Sequence, residues 1–527
     1  MSAKAWLGAL AAALAVMLAL PQPGAAKTLK FANDGDVSSM DPYFLNETFL
    51  LSFLGNVYEP LVGRGKHLEL VPKLAQSWEQ VEPTVWRFHL RPNVKFAGGE
   101  PFTADDVVYS YHRVIGEGSD LKGNLATVTD VKKVDDHTVD IVTKLPNPLL
   151  PGDIAIWYMM SKNWCEKNGA GKVASVSKKE ENYATYHTDG TGAFMVTQRE
   201  PDVRTVAVPN PNWWNKPEHN LTEVDFSVIK SDATRVAALL SGEVDMVYTV
   251  PIQDVERINA APHRKVLQGP ELRTIFLGMD QWRDELIDSD VKGKNPFKDV
   301  RVRRAFYQAI DEDAIVKKVM RGAATASGLM VAPAVNGWNK ELNQRYPYDV
   351  KEAKRLLAEA GYPEGFSVGM NCPNDRYVND EQICQAVAAM LARIGVKVNL
   401  VAETKSKYFG KILARNTSFY LLGWTPVTYD ANNTLFNIMA TPDASGRGKF
   451  NLGKYSNPRF DELVTQITSE LDPAKRTAEI NEAFKIHKED FGHIPLHQQA
   501  LAWGVKDNVH LTQLPDNFFD WYWVTMD

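Results

Sequence analysis

The sequence lacks the motifs that build most catalytic and nucleotide-binding sites. It contains no G-x-S-x-G nucleophile elbow, no lysine-bearing phosphate loop and no H-E-x-x-H zinc motif. The adjacent acids Asp105 and Asp106 stand at the start of a predicted helix, where they complement the helix dipole rather than form an acid–base pair. These absences argue against an enzyme. A secreted hydrolase stays an alternative, because catalytic groups can lie far apart in a sequence.

The chain also lacks an excess of positive charge. It carries 59 Lys and Arg against 65 Asp and Glu, a formal net charge of −6, and no block of basic residues. We therefore expect no nucleic-acid partner. Since 44% of its 527 residues are hydrophobic, the chain can bury sizeable cores, and its length predicts about two to four domains.

Only one apolar run approaches the length of a membrane span. It covers residues 5–20, follows Lys4 and is broken at Pro21. Gly24 and Ala26 occupy the −3 and −1 positions of a cleavage site, so the pattern predicts a secretory signal peptide over residues 1–26. A membrane anchor is the alternative, but the run is short for a hydrocarbon core of ~30 Å. We expect the mature chain to be periplasmic.

Cysteine is scarce, with three residues at Cys165, Cys372 and Cys384. In an oxidising compartment the closely spaced Cys372 and Cys384 are predicted to form a disulfide, which leaves Cys165 unpaired. Three free thiols are the alternative. No histidine accompanies the pair at ligand spacing, so we expect no metal site and no cofactor there.

What the sequence does contain is a regular alternation of predicted strands and helices. Residues 85–96 alternate apolar and polar side chains as a half-buried strand does. A helix is predicted to begin at Ser231, to turn Ala237, Leu239 and Leu240 inward, and to end at Gly242. The alternation predicts α/β lobes.

No Pro- or Ser-rich linker separates the predicted lobes. We therefore expect strands that cross between them to join the lobes. The two best candidates for these crossings are residues 272–280, LRTIFLGMD, and residues 493–503, HIPLHQQALAW.

Aromatic side chains with a polar group are frequent, with 13 Trp and 18 Tyr. Trp424 stands where the apolar run FYLLGW ends, and this position favours a pocket wall over core packing. The aromatic cluster at residues 518–524, FFDWYWV, is predicted instead to pack in the core or at an edge.

Several motifs together resemble a known family. The segment LAQSWEQVEPTVWRFHLRPNVKFAGGEPFTADDVVYSY is followed in order by DGTGAF, NPNWW, LLSGEVDMV, DVRVRRAFYQAID, YPYDVKEAKRLLAEAGYPEGF and YSNPRFDELV. In this combination the chain resembles the family 5 extracellular solute-binding proteins. These are the dipeptide- and oligopeptide-binding components of ABC importers, and the resemblance extends over nearly the whole mature chain.

The resemblance implies the α/β, two-lobed periplasmic-binding-protein fold, of type II, with an extra subdomain in the first lobe. The crossing strands would form the hinge. The implied boundaries are 27–60, 187–273 and 496–527 for the main part of lobe I, 61–186 for the extra subdomain, and 274–495 for lobe II.

The resemblance also implies a function without catalysis. The protein would bind a small solute or short peptide in the cleft between its lobes, close, and deliver it to the membrane subunits of an ABC permease. A monomer is expected.

The segment after Trp424 would line the cleft with Thr425, Tyr429 and Asp430. In the family's peptide binders an aspartate three residues after this tryptophan typically pairs with the peptide's α-ammonium, but here that residue is Val427. Either Asp430 takes over this role, or the ligand is not anchored through a free amine. The second case would suit an opine, a sugar conjugate, an antibiotic-like solute or a metal chelate.

Two further segments supply predicted contacts. Arg376 and Tyr377 in NDRYVND resemble the Arg-x-Tyr contact of dipeptide binders, with a spacing one residue shorter. Arg376 would bind a ligand carboxylate or phosphate through its planar fork. A surface arginine in the disulfide loop is the alternative. Asn46, Glu47 and Thr48 fall where the family's N-terminal pocket loop lies.

Overall fold

A computed structural model describes residues 26–527. The predicted signal peptide, apart from its last residue, lies outside this range. Among residues 26–527, no helix combines the length and the apolar character that crossing a membrane requires.

Strands are distributed along the whole described chain. They are β1 Thr28–Asn33, β2 Val62–Arg64, β3 Leu70–Pro72, β4 Ala75–Glu82, β5 Val85–Leu90, β6 Val128–Asp135, β7 Thr138–Thr143, β8 Phe194–Glu200, β9 Arg204–Pro209, β10 Glu223–Val228, β11 Met246–Val247, β12 Arg264–Met279, β13 Ala324–Ala326, β14 Ser367–Pro373, β15 Lys397–Glu403, β16 Phe419–Trp424, β17 His493–Lys506, β18 Val509–His510 and β19 Thr525–Met526.

Helices alternate with these strands, as the sequence predicts. The α-helices are Thr48–Leu54, Ala104–Val114, Leu150–Asp153, Lys162–Lys167, Asp232–Ser241, Val255–Asn259, Val300–Ala309, Glu312–Ala314, Val350–Glu359, Asp380–Ala392, Lys405–Leu413, Ala431–Thr434, Pro458–Ser469 and Pro473–Glu489.

The large sheet has the order β15-β14-β16-β12-β17-β11-β1-β10-β9-β8. Its two central strands, β12 and β17, are its longest and pair antiparallel from Arg264 opposite Lys506 to Gly278 opposite His493. The pairing of β12 with β16 is confined to the second half of β12, from Thr274 to Met279, and β11 pairs near the end of β17. Each central strand therefore passes from one half of the sheet to the other, which confirms the predicted two-lobed α/β fold with crossing strands.

The pairing of β12 with β17 is interrupted between Pro270 and Thr274. Two charged residues, Glu271 and Arg273, fall in this interruption and are nevertheless buried. Because a bulge redirects side chains away from the regular pleat, the interruption presents these charges at the middle of the sheet.

A second, four-stranded sheet has the order β4-β5-β7-β6 and lies within the predicted extra subdomain. Its strand β5 is shorter than the predicted strand at residues 85–96, because the chain turns after Leu90 through Asn93, which has a φ of 62°. The predicted domain boundaries stay predictions.

The helix Asp232–Ser241 begins after Ser231, whose side chain accepts a hydrogen bond from the Thr234 backbone, and ends at Gly242 with a φ of 87°. These two limits agree with the prediction. The predicted inward face is partly wrong, since Ala237 is exposed and Arg235 is buried instead. The guanidinium of Arg235 is tolerated there because it donates to the backbone carbonyls of residues 229 and 249.

The predicted disulfide between Cys372 and Cys384 is confirmed. It ties the end of β14 to the helix Asp380–Ala392, with the two Cα atoms 6.6 Å apart. Cys165 is free and buried. The bridge fixes the loop that contains Arg376 and Tyr377.

Replacing both Cys372 and Cys384 with alanine should lower the free energy of unfolding by about 3 kcal/mol, since the bridge closes a short loop and restricts the unfolded chain. Denaturant unfolding with and without reductant measures the effect. Reductant should destabilise the natural chain and leave the double variant unchanged. Equal unfolding curves for all four samples would contradict the prediction.

Candidate functional site

Seven of the nine predicted ligand-binding residues line one cavity in the middle of the large sheet. The cavity lies where the loop after β1, the loop after β14 and the end of β16 meet. The seven residues are Asn46, Glu47, Thr48, Arg376, Tyr377, Trp424 and Thr425.

Glu47 is held in this cavity by its role as a helix cap. The helix Thr48–Leu54 begins after Glu47, and the Glu47 carboxylate accepts a hydrogen bond of 2.8 Å from the Leu50 backbone. Burial by itself raises the pKa of Glu47, but the positive charges of Arg376 and Lys405 outweigh it and lower the pKa to about 2. Glu47 is therefore a carboxylate at neutral pH.

Arg376 faces Glu47 from the opposite half of the sheet. Its Nε lies 3.0 Å from Glu47 Oε1, and its side chain is 10% exposed. These two atoms are close but not aligned for a hydrogen bond. Within the described chain the Arg376 guanidinium donates no hydrogen bond at all, so its donors can still receive a ligand.

Asp380 holds the backbone around Arg376 in place. The N–H groups of Arg376 and Tyr377 both donate to Asp380 Oδ2 at 3.0 Å. The Tyr377 hydroxyl donates to the Gly423 carbonyl, and the Arg376 guanidinium lies 4.8 Å from the Tyr377 ring centre. Such contacts limit the rotamers of both side chains and preorganise the site.

Trp424 is the last residue of β16 and forms a wall of the cavity. Its indole N–H donates to Asn433 at 2.9 Å, and its ring lies 5.0 Å from the ring of Phe450. Beside it, Thr425 is 5% exposed, and its hydroxyl has no hydrogen-bond partner among the described residues. A buried hydroxyl without a partner is costly and suits a site that a polar ligand completes.

Asp430 does not line this cavity, because its carboxylate is used elsewhere. It pairs with the Arg476 guanidinium at 2.6 and 2.8 Å and accepts a hydrogen bond of 2.8 Å from Asn336. It also caps the helix Ala431–Thr434 through the Asn432 backbone. The carboxylate that the sequence offers as a replacement for the missing amine anchor is thus already neutralised by the protein.

Tyr429 also lies outside the cavity of the seven residues. Its hydroxyl donates to Asp516 at 2.5 Å, and the Arg64 guanidinium lies 4.8 Å from its ring centre. Its φ of 61° is unusual for tyrosine. The contact connects the loop after β16 to the C-terminal segment.

Sequence reasoning missed Arg273. Its guanidinium donates to Glu271 at 2.8 Å and to the Thr48 hydroxyl at 3.0 Å, so it supports the loop that carries Glu47. The sequence signal that could have identified it is an arginine within the mostly apolar segment LRTIFLGMD, which is predicted to cross between the lobes. The cavity is further lined by Leu51, Phe409, Leu422, Gly423, Val427 and Phe450.

Val427 also lines a second cavity, which we call the C-terminal cavity. The C-terminal segment contributes Asp516, Phe518, Asp520 and Tyr522 to its wall. The segment FFDWYWV is predicted to pack in the core or at an edge. Phe519, Trp521 and Val524 are buried in the main core, and Phe518 and Tyr522 pack against it from the cavity wall. The remaining lining residues are Gly55, Pro60, Gly63, Arg64, Lys73, Ala155, Ile156, Tyr158 and Leu514.

Comparison with known proteins identifies a matching family profile. Residues 69–446 match the profile described as bacterial extracellular solute-binding proteins, family 5 middle region. This range covers more than half of the chain and includes Arg376, Trp424 and Val427.

Characterised relatives align over most of their length. The dipeptide-binding protein of Escherichia coli is 27% identical over 515 residues, which cover 90% of this chain and 88% of the relative. The heme-binding protein A of Haemophilus influenzae is 26% identical over 474 residues, with 84% of this chain and 80% of the relative covered.

Solved structures share the fold. A periplasmic binding protein from Helicobacter pylori in complex with the peptide STSA has a TM-score of 0.84 at 24% identity, and the match covers 95% of this chain and 98% of that one. A binding protein from A. tumefaciens R10 in complex with agropinic acid has a TM-score of 0.84 at 22% identity, with 95% and 99% covered.

Proposed function

Since this chain belongs to the bacterial extracellular solute-binding proteins of family 5, we propose that it captures a peptide-like solute in the periplasm for an ABC importer. The observation that carries the proposal is the meeting of Glu47 and Arg376 from opposite halves of the sheet, with the arginine's donors unused. A ligand that contacts both groups links the two halves.

In this proposal, binding is coupled to closure. The ligand enters an open form and stabilises the closed one by contacts to both lobes. We assign residues 27–60, 187–273 and 496–527 to the main part of lobe I, 61–186 to the extra subdomain and 274–495 to lobe II. The hinge is formed by β12 and β17, and the closed monomer docks on the permease.

Each side chain of the cavity offers a different contact to the ligand. The planar fork of Arg376 suits a ligand carboxylate, Trp424 offers an aromatic face, and the Thr425 hydroxyl offers one hydrogen bond. Asn46, Thr48 and Tyr377 complete the wall. Neither this cleft nor the proposed role requires a chemical step, a cofactor or a metal.

A non-peptide solute is the second candidate, and Val427 favours it. Where the family's peptide binders hold an aspartate, this chain places an apolar side chain that is 8% exposed. Relatives of nearly equal similarity are named for a dipeptide and for heme. Overall similarity therefore does not select the ligand, and the groups that line the cleft must do so.

Native mass spectrometry of protein purified without unfolding tests the proposed function. We expect a 1:1 complex with a small solute, lost after unfolding and refolding in clean buffer. Loss of a solute present at 100 times its Kd should lower the free energy of unfolding by about 2.7 kcal/mol. Re-addition of a pool of short peptides should restore both the mass and the stability.

Two other results would point elsewhere. A restored complex with a non-peptide extract but not with the peptide pool would favour the second candidate. Turnover of added solutes without any stable complex would favour the secreted hydrolase.

A further inference from the structure

The C-terminal cavity contains a carboxylate that the protein leaves unpartnered. The side chain of Asp520 lines this cavity, and no donor within residues 26–527 forms a hydrogen bond or salt bridge with it. Its neighbour Asp516 differs, because it accepts hydrogen bonds from the Tyr429 hydroxyl and the Phe518 backbone. The cavity thus contains one satisfied carboxylate and one free carboxylate.

The cations of the same wall are engaged with other groups. The Lys73 ammonium donates to the Tyr522 hydroxyl at 3.2 Å and lies 4.4 Å from that ring centre. The Arg64 guanidinium donates to two backbone carbonyls, those of residues 68 and 428. Neither cation forms a salt bridge with Asp516 or Asp520 in the described chain.

The C-terminal cavity is adjacent to the cavity of Arg376 and Trp424. Val427 lines both spaces, and the unpartnered Thr425 hydroxyl lies two residues before it in the first one. Because the Val427 side chain is apolar and short, it leaves a neutral wall between the cationic and the acidic part of the cleft.

We propose that Asp520, with Asp516 beside it, receives a positively charged nitrogen of the solute, an ammonium or guanidinium group, while the solute's carboxylate lies toward Arg376. The C-terminal segment then supplies the counter-charge that Val427 cannot provide. This inference rests on the proposed function and narrows its ligand to solutes with one cationic and one anionic end.

The environment of Asp520 supports this assignment. Burial raises the pKa of Asp520 to about 7, with Lys73 opposing and Asp516 adding to the shift. Because burial disfavours the charged form of Asp520, a positively charged group that replaces water beside it would stabilise the carboxylate. Tyr158 lines the same cavity and adds an aromatic ring near Asp520.

The test uses the full mature protein, stripped of solute, and two probe pools. One pool contains di-, tri- and tetrapeptides with free α-amines, and the other contains the same peptides with acetylated amines. Affinities are measured by calorimetry for the natural chain, for Asp520→Asn, and for the control Asp507→Asn, which removes an exposed carboxylate nearby in the sequence.

We expect the natural chain and Asp507→Asn to prefer the free-amine pool by at least tenfold. Asp520→Asn should lose at least tenfold in affinity for that pool and should bind the acetylated pool unchanged. The comparison of the two pools on the natural chain tests the inference even if the variant fails to fold.

Two outcomes would overturn the inference while leaving the proposed function intact. The first is equal binding of both pools by the natural chain, and the second is an undiminished preference in Asp520→Asn. If the natural chain binds neither pool, the proposal of a peptide-like solute is itself overturned, and the inference falls with it.

Discussion

Replacing Asp430 with alanine is expected to lower the free energy of unfolding by about 3–5 kcal/mol, because the change leaves the buried Arg476 without its counter-charge. The two terminal nitrogens of Arg476 donate to Asp430 at 2.8 and 2.6 Å, and its Nε donates to the Ile467 carbonyl at 3.0 Å. Both charged side chains are less than a tenth exposed. The change also removes the cap of the helix Ala431–Thr434 and a hydrogen bond from Asn336.

Denaturant unfolding of the solute-free protein measures this effect. The control is Asp443→Ala, which removes an exposed acid that pairs with Arg447 at 3.2 Å. That change should alter stability by no more than about 1 kcal/mol. The double variant Asp430→Ala/Arg476→Met should recover part of the loss, since it removes both charges together.

The opposite pattern would change the assignment of Asp430. If Asp430→Ala kept the natural stability and lost affinity for free-amine peptides, Asp430 would be the amine anchor that the sequence pattern offers as a possibility. Asp520→Asn should in that case have no effect on the same peptides.

The role of Asp430 could not be predicted from the sequence. Its position after Trp424 predicts that it lines the cleft, but it does not line the cavity of Arg376 and Trp424. The sequence does not reveal that Arg476, on a distant helix, takes both carboxylate oxygens. Ion pairs between remote segments depend on tertiary packing, which local patterns do not encode.

The sequence predicted the fold better than it predicted the site. The crossing of β12 and β17 follows from two apolar segments without a linker between the lobes, and the helix limits at Ser231 and Gly242 follow from capping chemistry. Arg273 escaped prediction because its placement depends on the interrupted pairing with β17. Asp520 was not predicted because an aromatic-rich segment is typical of core packing. Only the folded structure shows which residues of that segment line a cavity.

Replacing Arg376 with alanine is expected to weaken solute binding by about 2–5 kcal/mol, which is typical of truncating one partner of a buried charge contact. The same change affects the solute-free protein, because Glu47 then loses the cation that lies 3.0 Å away. Affinity and stability must therefore be measured separately.

The pH dependence distinguishes the two effects. In the natural chain the pKa of Glu47 is lowered to about 2 from an ordinary value of 4.5. Its stabilising contribution is therefore present above about pH 4.5 and is lost as the pH falls toward 2. Without Arg376, the largest charge that lowers the pKa of Glu47 is gone, so the loss of stability between pH 4.5 and 2 should be smaller in the variant, and its stability difference from the natural chain should shrink as the pH falls.

A second variant isolates the contribution of Arg376 to binding. Glu47→Gln/Arg376→Ala removes both members of the buried pair together, so its unfolding stability should exceed that of Glu47→Gln or Arg376→Ala alone. Calorimetry with the solute recovered from the natural protein should still show the loss of affinity. If affinity returns together with stability, Arg376 acts only as the partner of Glu47, and the carboxylate of the solute must be bound by another group, for which Arg273 is the nearest candidate in the cavity.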